Sequence, residues 1–163
     1  MPRQMTFVVV GFLIGWPAVV SAGDSPAERA SLKGLTAINV VVEDPGPAAE
    51  KAGLTAVLMQ NDVQPRLRQS GIPVNPDADP YLYVQVTVID PGWSLPLAYA
   101  INVAFMQEIT LPRGLSAYLQ SPTWSLTSLG MAGSDRFAKL ARERVQELVG
   151  QFVTAYLSVN PKP

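Results

Sequence analysis

Three stretches in the second half of this chain alternate apolar and polar residues, and they constrain the fold more than any other feature. In residues 81–89 the alternate positions form two sets, which we call the two phases of the strand. One phase is formed by Leu82, Val84, Val86 and Val88, and the other by Tyr81, Tyr83, Gln85 and Thr87. Successive side chains of a strand point to opposite faces, so this pattern predicts a strand with one buried face. Residues 99–111 and 123–131 repeat the alternation, with Tyr99, Ile101, Val103 and Phe105 in one phase of the first and Trp124 and Leu126 in one phase of the second.

The connections between these three strands are too short to hold a crossover helix, which predicts an antiparallel meander. An earlier strand is indicated by a shared phase of Thr36, Ile38, Val40 and Val42. The sequence Asp44-Pro45-Gly46-Pro47 ends that strand, because proline and glycine favour turns.

Two helices are predicted. The first covers 54–69, with Thr55 as N-cap and Gly71 just past its end. Pro65 lies inside it and costs about 3 kcal/mol there, which predicts a kink near Asn61 or a split into two pieces. The second helix runs from about residue 134 to Asn160, and its apolar stripe is formed by Phe137, Leu140, Ala141, Val145, Leu148, Val149, Phe152 and Tyr156.

These elements predict an α+β fold of order β-α-β-β-β-α. The sheet is expected to be four-stranded and mainly antiparallel, with two helices packed on one face. Residues 35–163 form this single domain, and the small, polar stretch 23–34 is expected to be a disordered segment ahead of it.

Residues 1–22 have the features of a secretory signal peptide. Arg3 precedes an apolar run from Phe7 to Val20, and Val20-Ser21-Ala22 places small residues at the cleavage site. The run is short for a membrane span. We therefore expect a periplasmic or secreted protein whose mature chain begins at Gly23.

The chain contains no histidine and no cysteine. It therefore has no Ser-His-Asp triad, no histidine-ligated metal, no disulfide and no thiol nucleophile. It also lacks the cysteine that carries lipid in bacterial lipoproteins, so no stable membrane anchor is expected after cleavage.

The chain has a net charge of −1 and no basic block, so nucleic acid is not an expected partner. No cofactor and no metal are expected.

Two groups of residues are candidate contacts for a partner. The first is the loop after the strand 81–89, where Trp93, Leu95 and Leu97 are unusually apolar for a solvent loop. The alternative is that Trp93 folds back over the sheet edge. The second is the pair Tyr81 and Tyr83, which lies on the face away from the buried valines.

Asn75, Asp77 and Asp79 alternate as in a calcium loop, but Pro80 stands where that loop needs glycine, so these are turn residues.

The order of elements resembles that of the lipopolysaccharide-assembly lipoprotein and of the N-terminal domain of the Tol translocation protein. That resemblance implies two helices against one face of a small mixed sheet, and it carries over no functional residue. The segments 53–55, 67–72 and 156–162 are similar to those of small exported bacterial proteins, which implies a type of protein rather than an activity.

Three functions are compatible with the sequence. The first is a non-catalytic accessory or interaction protein of the cell envelope, which binds an envelope protein or a second copy through a sheet edge, the exposed sheet face or the Trp93 loop. The second is a binder of an apolar or lipid ligand between sheet and helices, in a pocket lined by Val84, Val86, Ile101, Phe105 and Phe152. The third is a hydrolase using carboxylates alone, which needs two of Asp44, Asp62, Asp90 and Glu108 within about 5–10 Å. The first is favoured, and no enzymatic activity is expected.

Overall fold

The computed structural model describes residues 23–92, 95–110 and 119–161. In chain order its elements are α1 (Pro26–Ala30), β1 (Asn39–Val42), α2 (Pro47–Lys51), α3 (Ala56–Gln69), β2 (Tyr81–Ile89), β3 (Leu97–Ile109), β4 (Leu119–Ala132) and α4 (Ser134–Val159). The predicted signal peptide, residues 1–22, lies outside the described residues. Within those residues, none of the helices is both long enough and apolar enough to span a bilayer.

The four strands form one sheet in the order β1-β2-β3-β4. The predicted meander is confirmed, since β2 pairs antiparallel with β3 and β3 antiparallel with β4. The strand β1 is parallel to β2, which makes the sheet mixed. Parallel neighbours need a long crossover connection, and the segment that contains α2 and α3 supplies it. The predicted α+β class is therefore confirmed.

The two long helices cover one face of the sheet, which we call the inner face. Helix α3 packs against β1, and α4 packs against β3 and β4. Phe152 of α4 lies at the centre of the core, where its ring centroid is 5.6 Å from that of Phe105 and 5.2 Å from that of Trp124. Trp124 belongs to this core, because its side chain is fully buried.

Helix α3 continues as one element through Pro65, so of the two predicted alternatives, a kink or a split, the split does not occur. Its N-cap is as predicted, since the Thr55 hydroxyl accepts the N–H of Leu58. Buried Met59 and Val63 precede the proline and buried Leu67 follows it. Packing on both sides therefore holds the helix together against the cost of the interior proline.

The segment 23–34, expected to be disordered, instead folds onto the domain. It contains α1, whose capping box joins Ser25 and Glu28, and Leu32 is fully buried in the core. The amide of Asn160 donates to the carbonyl of Leu32 at 2.8 Å, which ties this segment to the end of α4. Composition alone did not indicate this, because the partners of the segment lie about a hundred residues away along the chain.

Candidate functional site

The outer face of the sheet is the surface opposite α3 and α4. On β2 it carries the phase that includes Tyr83 and Thr87, and on β4 the phase that includes Thr127 and Leu129. The register places Thr87 beside Ala100 and Ala100 beside Leu129, so these three residues form one row across the sheet. The next row is Ile89, Ala98 and Met131.

These two rows form a depression that we call the outer trough. Ala98 and Ala100 of β3 make its floor, and the longer side chains of Ile89 on one side and of Leu129 and Met131 on the other make its walls. Its volume is about 450 Å³ and its lining is largely apolar. The shape follows from the sequence, because small residues on the central strand lie between large residues on both neighbours.

The walls of the outer trough are exposed to a degree that is unusual for apolar side chains lying side by side. Leu129 is 78% exposed, Met131 68% and Ile89 65%. Isolated apolar residues are normal on a protein surface, whereas contiguous ones mark interaction sites. The outer trough is therefore the candidate functional site.

The three loop residues predicted as partner contacts have different outcomes. Leu97 is only 4% exposed and belongs to the core, so its assignment as a partner contact is wrong: it is the first residue of β3 and its side chain points to the inner face. Leu95 is 57% exposed, just beyond the end of the sheet that carries the outer trough. Trp93 lies outside the described residues.

Tyr81 and Tyr83 lie on the outer face, as predicted, and both are half-buried. They pair with Met106 and Ala104 of β3, at the end of the sheet away from the outer trough. Six residues of strand separate Tyr83 from Ile89, a distance of about 20 Å. The structure therefore places this tyrosine pair and the exposed Leu95 at opposite ends of the sheet and does not bring them into one site.

A polar cluster fixes the N-terminal segment to the outer edge of β4. The N–H of Ser125 donates to the carbonyl of Gly23 at 3.3 Å. The indole Nε1–H of Trp124 donates to Oδ1 of Asp24 at 2.9 Å, and Nε of Arg29 donates to the same carboxylate at 2.8 Å. Burial alone raises the pKa of Asp24, but the hydrogen bonds from Arg29 and Trp124 outweigh it and hold that pKa below its ordinary value.

Three of the four carboxylates considered for hydrolysis, Asp44, Asp62 and Asp90, are occupied in separate local roles. Asp62 forms an ion pair with Arg142, and Asp44 and Asp90 accept the N–H groups of Gly46 and Gly92 in turns. Asp44, Asp62 and Asp90 border three different surface depressions. In the predicted turn, Oδ1 of Asn75 accepts the N–H of Asp77, as a turn residue does.

The interior between sheet and helices is filled by side chains. The five residues proposed to line a lipid pocket are all buried in one core cluster: Val84, Val86, Ile101, Phe105 and Phe152. The rings of Phe105 and Phe152 are stacked there. Full packing of these residues removes the basis for a ligand site at that place.

The chain matches no protein-family model and no curated protein. Among solved structures it is similar to a minor lipoprotein from Acinetobacter baumannii, with 16% sequence identity and a TM-score of 0.38, over 74% of this chain and 92% of that chain. No role of any residue is inferred from that likeness.

The wall residues of the outer trough are not among the residues that the sequence singled out. The sequence does contain an indication of them, because Leu129 and Met131 are apolar but occupy the same alternate positions of the strand as the polar residues Ser125 and Thr127. Two apolar residues in the phase that faces away from the core indicate an apolar patch on the outer face. Ile89 gives the same signal at the end of β2, after Gln85 and Thr87.

Proposed function

We propose that this protein is an exported, non-catalytic interaction protein of the cell envelope, and that it binds its partner through the outer trough. The observation that supports the proposal is the exposure of Ile89, Leu129 and Met131 on a sheet face that no described helix covers. Export is supported by the leader-like residues 1–22. Absence of catalysis is supported by the lack of histidine and cysteine and by the separate local roles of the acidic residues.

The shape of the outer trough favours a protein partner over a small molecule. Ligand pockets bury about 70–90% of a small ligand and combine an apolar lining with a few converging polar groups. The outer trough is open to solvent, and its floor consists of alanines. A protein surface can cover such a shallow, apolar area, whereas a small ligand placed there keeps much of its surface in water.

Site-specific photo-crosslinking in intact cells tests the proposal. A photoreactive amino acid replaces Leu129 in one strain and Lys139 in another, both in the full chain with its own leader. Lys139 is a matched control, because it is exposed on α4, on the other side of the domain. We expect a discrete protein adduct from position 129 and none from position 139.

The same cells test export. Fractionation and intact-mass measurement are expected to find the protein in the periplasm or the medium with Gly23 at its N-terminus. A protein that keeps residues 1–22 in the cytoplasm, or a crosslinking pattern that is the same at positions 129 and 139, would contradict the proposal.

A further inference from the structure

Within the part of the chain that the structure describes, one edge of the sheet is open next to the outer trough. The edge strand β1 is four residues long. On the side away from β2, the backbone of the preceding residue, Ile38, is hydrogen-bonded to the segment 73–75. The other edge strand, β4, has fourteen residues. Natural proteins protect long edge strands, because unpaired N–H and C=O groups accept another strand.

The backbone of β4 shows which residues face that edge. The N–H of Ser125 donates outwards to Gly23, so the backbone groups of Ser125 point away from β3. In a regular antiparallel strand every second residue does the same, and the register from Ser125 to Ala132 is regular. The backbone groups of Thr127, Leu129 and Met131 therefore point to the edge, and among the described residues no backbone group beyond β3 bonds to them.

We propose that a second copy of this chain pairs with β4 in antiparallel fashion about a two-fold axis at Leu129, which joins two four-stranded sheets into one. This inference rests on the proposed function, since the second copy contacts the outer trough at its β4 wall, which is formed by Leu129 and Met131. In this register Leu129 lies opposite the partner's Leu129, and Thr127 lies opposite the partner's Met131. Each of these opposed pairs exchanges two N–H···O bonds.

The charge and side-chain pattern of β4 favours a second copy. The strand Leu119–Ala132 contains no charged residue, so the antiparallel copy brings no two like charges together. The exposed wall residues Leu129 and Met131 point to the outer face in both copies and become neighbours across the axis. The two outer troughs then form one continuous apolar surface, with an isologous contact at its centre.

The cysteine-free sequence allows a direct test of the register. In the proposed pair the two Cα atoms at position 129 are about 5.5 Å apart, which a disulfide can bridge. The two Cα atoms at position 127 are separated by four residues of strand, about 13 Å, which a disulfide cannot bridge. We expect the full-length purified Leu129→Cys variant to form a disulfide-linked dimer under mild oxidation and the Thr127→Cys variant to remain largely uncrosslinked.

Sedimentation analysis supplies the second readout. The wild-type protein is expected to be dimeric at about 100 µM, a concentration that populates complexes of micromolar Kd. Leu129→Lys places a charge at the axis and is expected to give a monomer. Val57→Lys is the matched control, because Val57 is an apolar residue that is 65% exposed but lies on α3, on the opposite side of the sheet. It is expected to remain dimeric.

The possible outcomes separate this inference from the proposed function. A monomeric wild-type protein, equal crosslinking at positions 127 and 129, or dissociation by Val57→Lys but not by Leu129→Lys overturns β4 pairing. If the protein is a monomer and the photo-crosslink at position 129 captures a different protein, the proposed function stands and the second copy does not. If the protein is a monomer and position 129 captures nothing, both fail.

Discussion

Asp62 of α3 and Arg142 of α4 form a two-point ion pair across the contact between the two long helices. Nε of Arg142 donates to Oδ2 of Asp62 at 2.6 Å, and Nη2 donates to Oδ1 at 2.8 Å. The hydrogen bonds to Asp62 and its negative charge raise the pKa of Arg142. The pair joins residues that are 80 positions apart in the chain, so it fixes how the two helices lie on the sheet.

Removing this pair is expected to lower the free energy of unfolding. Two-point pairs of arginine and carboxylate are stronger than ordinary surface pairs, but solvent screens this one partly, so we expect a coupling energy of about 1 kcal/mol. A double-mutant cycle with Asp62→Ala and Arg142→Ala, followed by urea denaturation, measures it. The matched control is the exposed pair of Lys139 and Glu143 on α4, whose atoms are 3.9 Å apart. A coupling no larger than that of the control would contradict a role in helix orientation.

The carboxylate of Asp24 is expected to stabilise the N-terminal segment in a pH-dependent way. Asp24→Asn loses the charge that pairs with Arg29 but keeps an oxygen for Trp124, and we expect it to cost about 1 kcal/mol near neutral pH. The pKa of Asp24 in the folded state is below its ordinary value of 3.8. Its charged form is therefore favoured by folding, and the stabilisation is present above that value and lost as the pH falls through the lowered folded pKa.

The measurement is urea denaturation of the wild-type protein and of Asp24→Asn between about pH 2 and pH 6. The difference in the free energy of unfolding is expected to be constant at the upper end and to shrink below the ordinary pKa. Glu28→Gln, in the exposed capping box of α1, is a control for the loss of a nearby charge. A difference that does not change over the whole range would show that Asp24 acts through packing rather than through its charge.

Two glycines are expected to respond in opposite ways to replacement by alanine. Gly150 lies inside α4, and an added Cβ meets Nη2 of Arg66 at 2.5 Å, the free end of a flexible and exposed side chain. Because that end can move, the added Cβ costs little. Alanine has a higher helix propensity than glycine, so Gly150→Ala should raise the free energy of unfolding by up to about 1 kcal/mol.

Gly130 on β4 presents the opposite case. A Cβ there lies 2.4 Å from the ring of Tyr99, which itself packs edge-on against Phe137 with centroids 5.5 Å apart. The ring cannot move without disturbing a core residue, so Gly130→Ala should lower the free energy of unfolding by about 1–3 kcal/mol. Thermal denaturation of both variants checks the pair of predictions. A stabilising Gly130→Ala would show that Tyr99 is free to move.

The sequence predicted the long elements well because their signals are local. The bounds of β2 agree with the predicted strand 81–89, and the predicted helix 54–69 corresponds to α3. The alternation of apolar residues along 81–89 depends only on neighbours in the chain. The parallel pairing of β1 and the fold of residues 23–34 depend instead on contacts between distant segments, such as that of Asp24 with Trp124. Such contacts leave no periodic pattern in the sequence from which they could be predicted.

The candidate site was predicted only in part for a similar reason. The sequence indicated that one sheet face is not covered by helices and that the chain near Leu95 is unusually apolar. It did not indicate the register that places Ala98 between Ile89 and Met131, because register depends on the pairing of three strands. It also placed Leu97 in the loop, whereas the structure begins β3 there.

The last prediction separates Leu95 from Leu97, two residues apart in the same apolar stretch. Leu97 is buried at the start of β3 and pairs with Ala132, whereas Leu95 is 57% exposed. Leu97→Ala should lower the free energy of unfolding by about 2–4 kcal/mol, because it leaves a cavity in the core. Leu95→Ala should change it by less than about 0.5 kcal/mol, as surface substitutions do.

Urea denaturation measures both values, and the photo-crosslinking assay at position 129 supplies the functional readout. If Leu95 extends the binding surface beyond the outer trough, Leu95→Ala weakens the adduct at position 129 although the protein is as stable as the wild type. Loss of the adduct only in Leu97→Ala, in proportion to its loss of folded protein, would confine the binding surface to the sheet. Equal stability losses in the two variants would contradict the burial of Leu97 and the assignment of Leu97 to the core and of Leu95 to the surface.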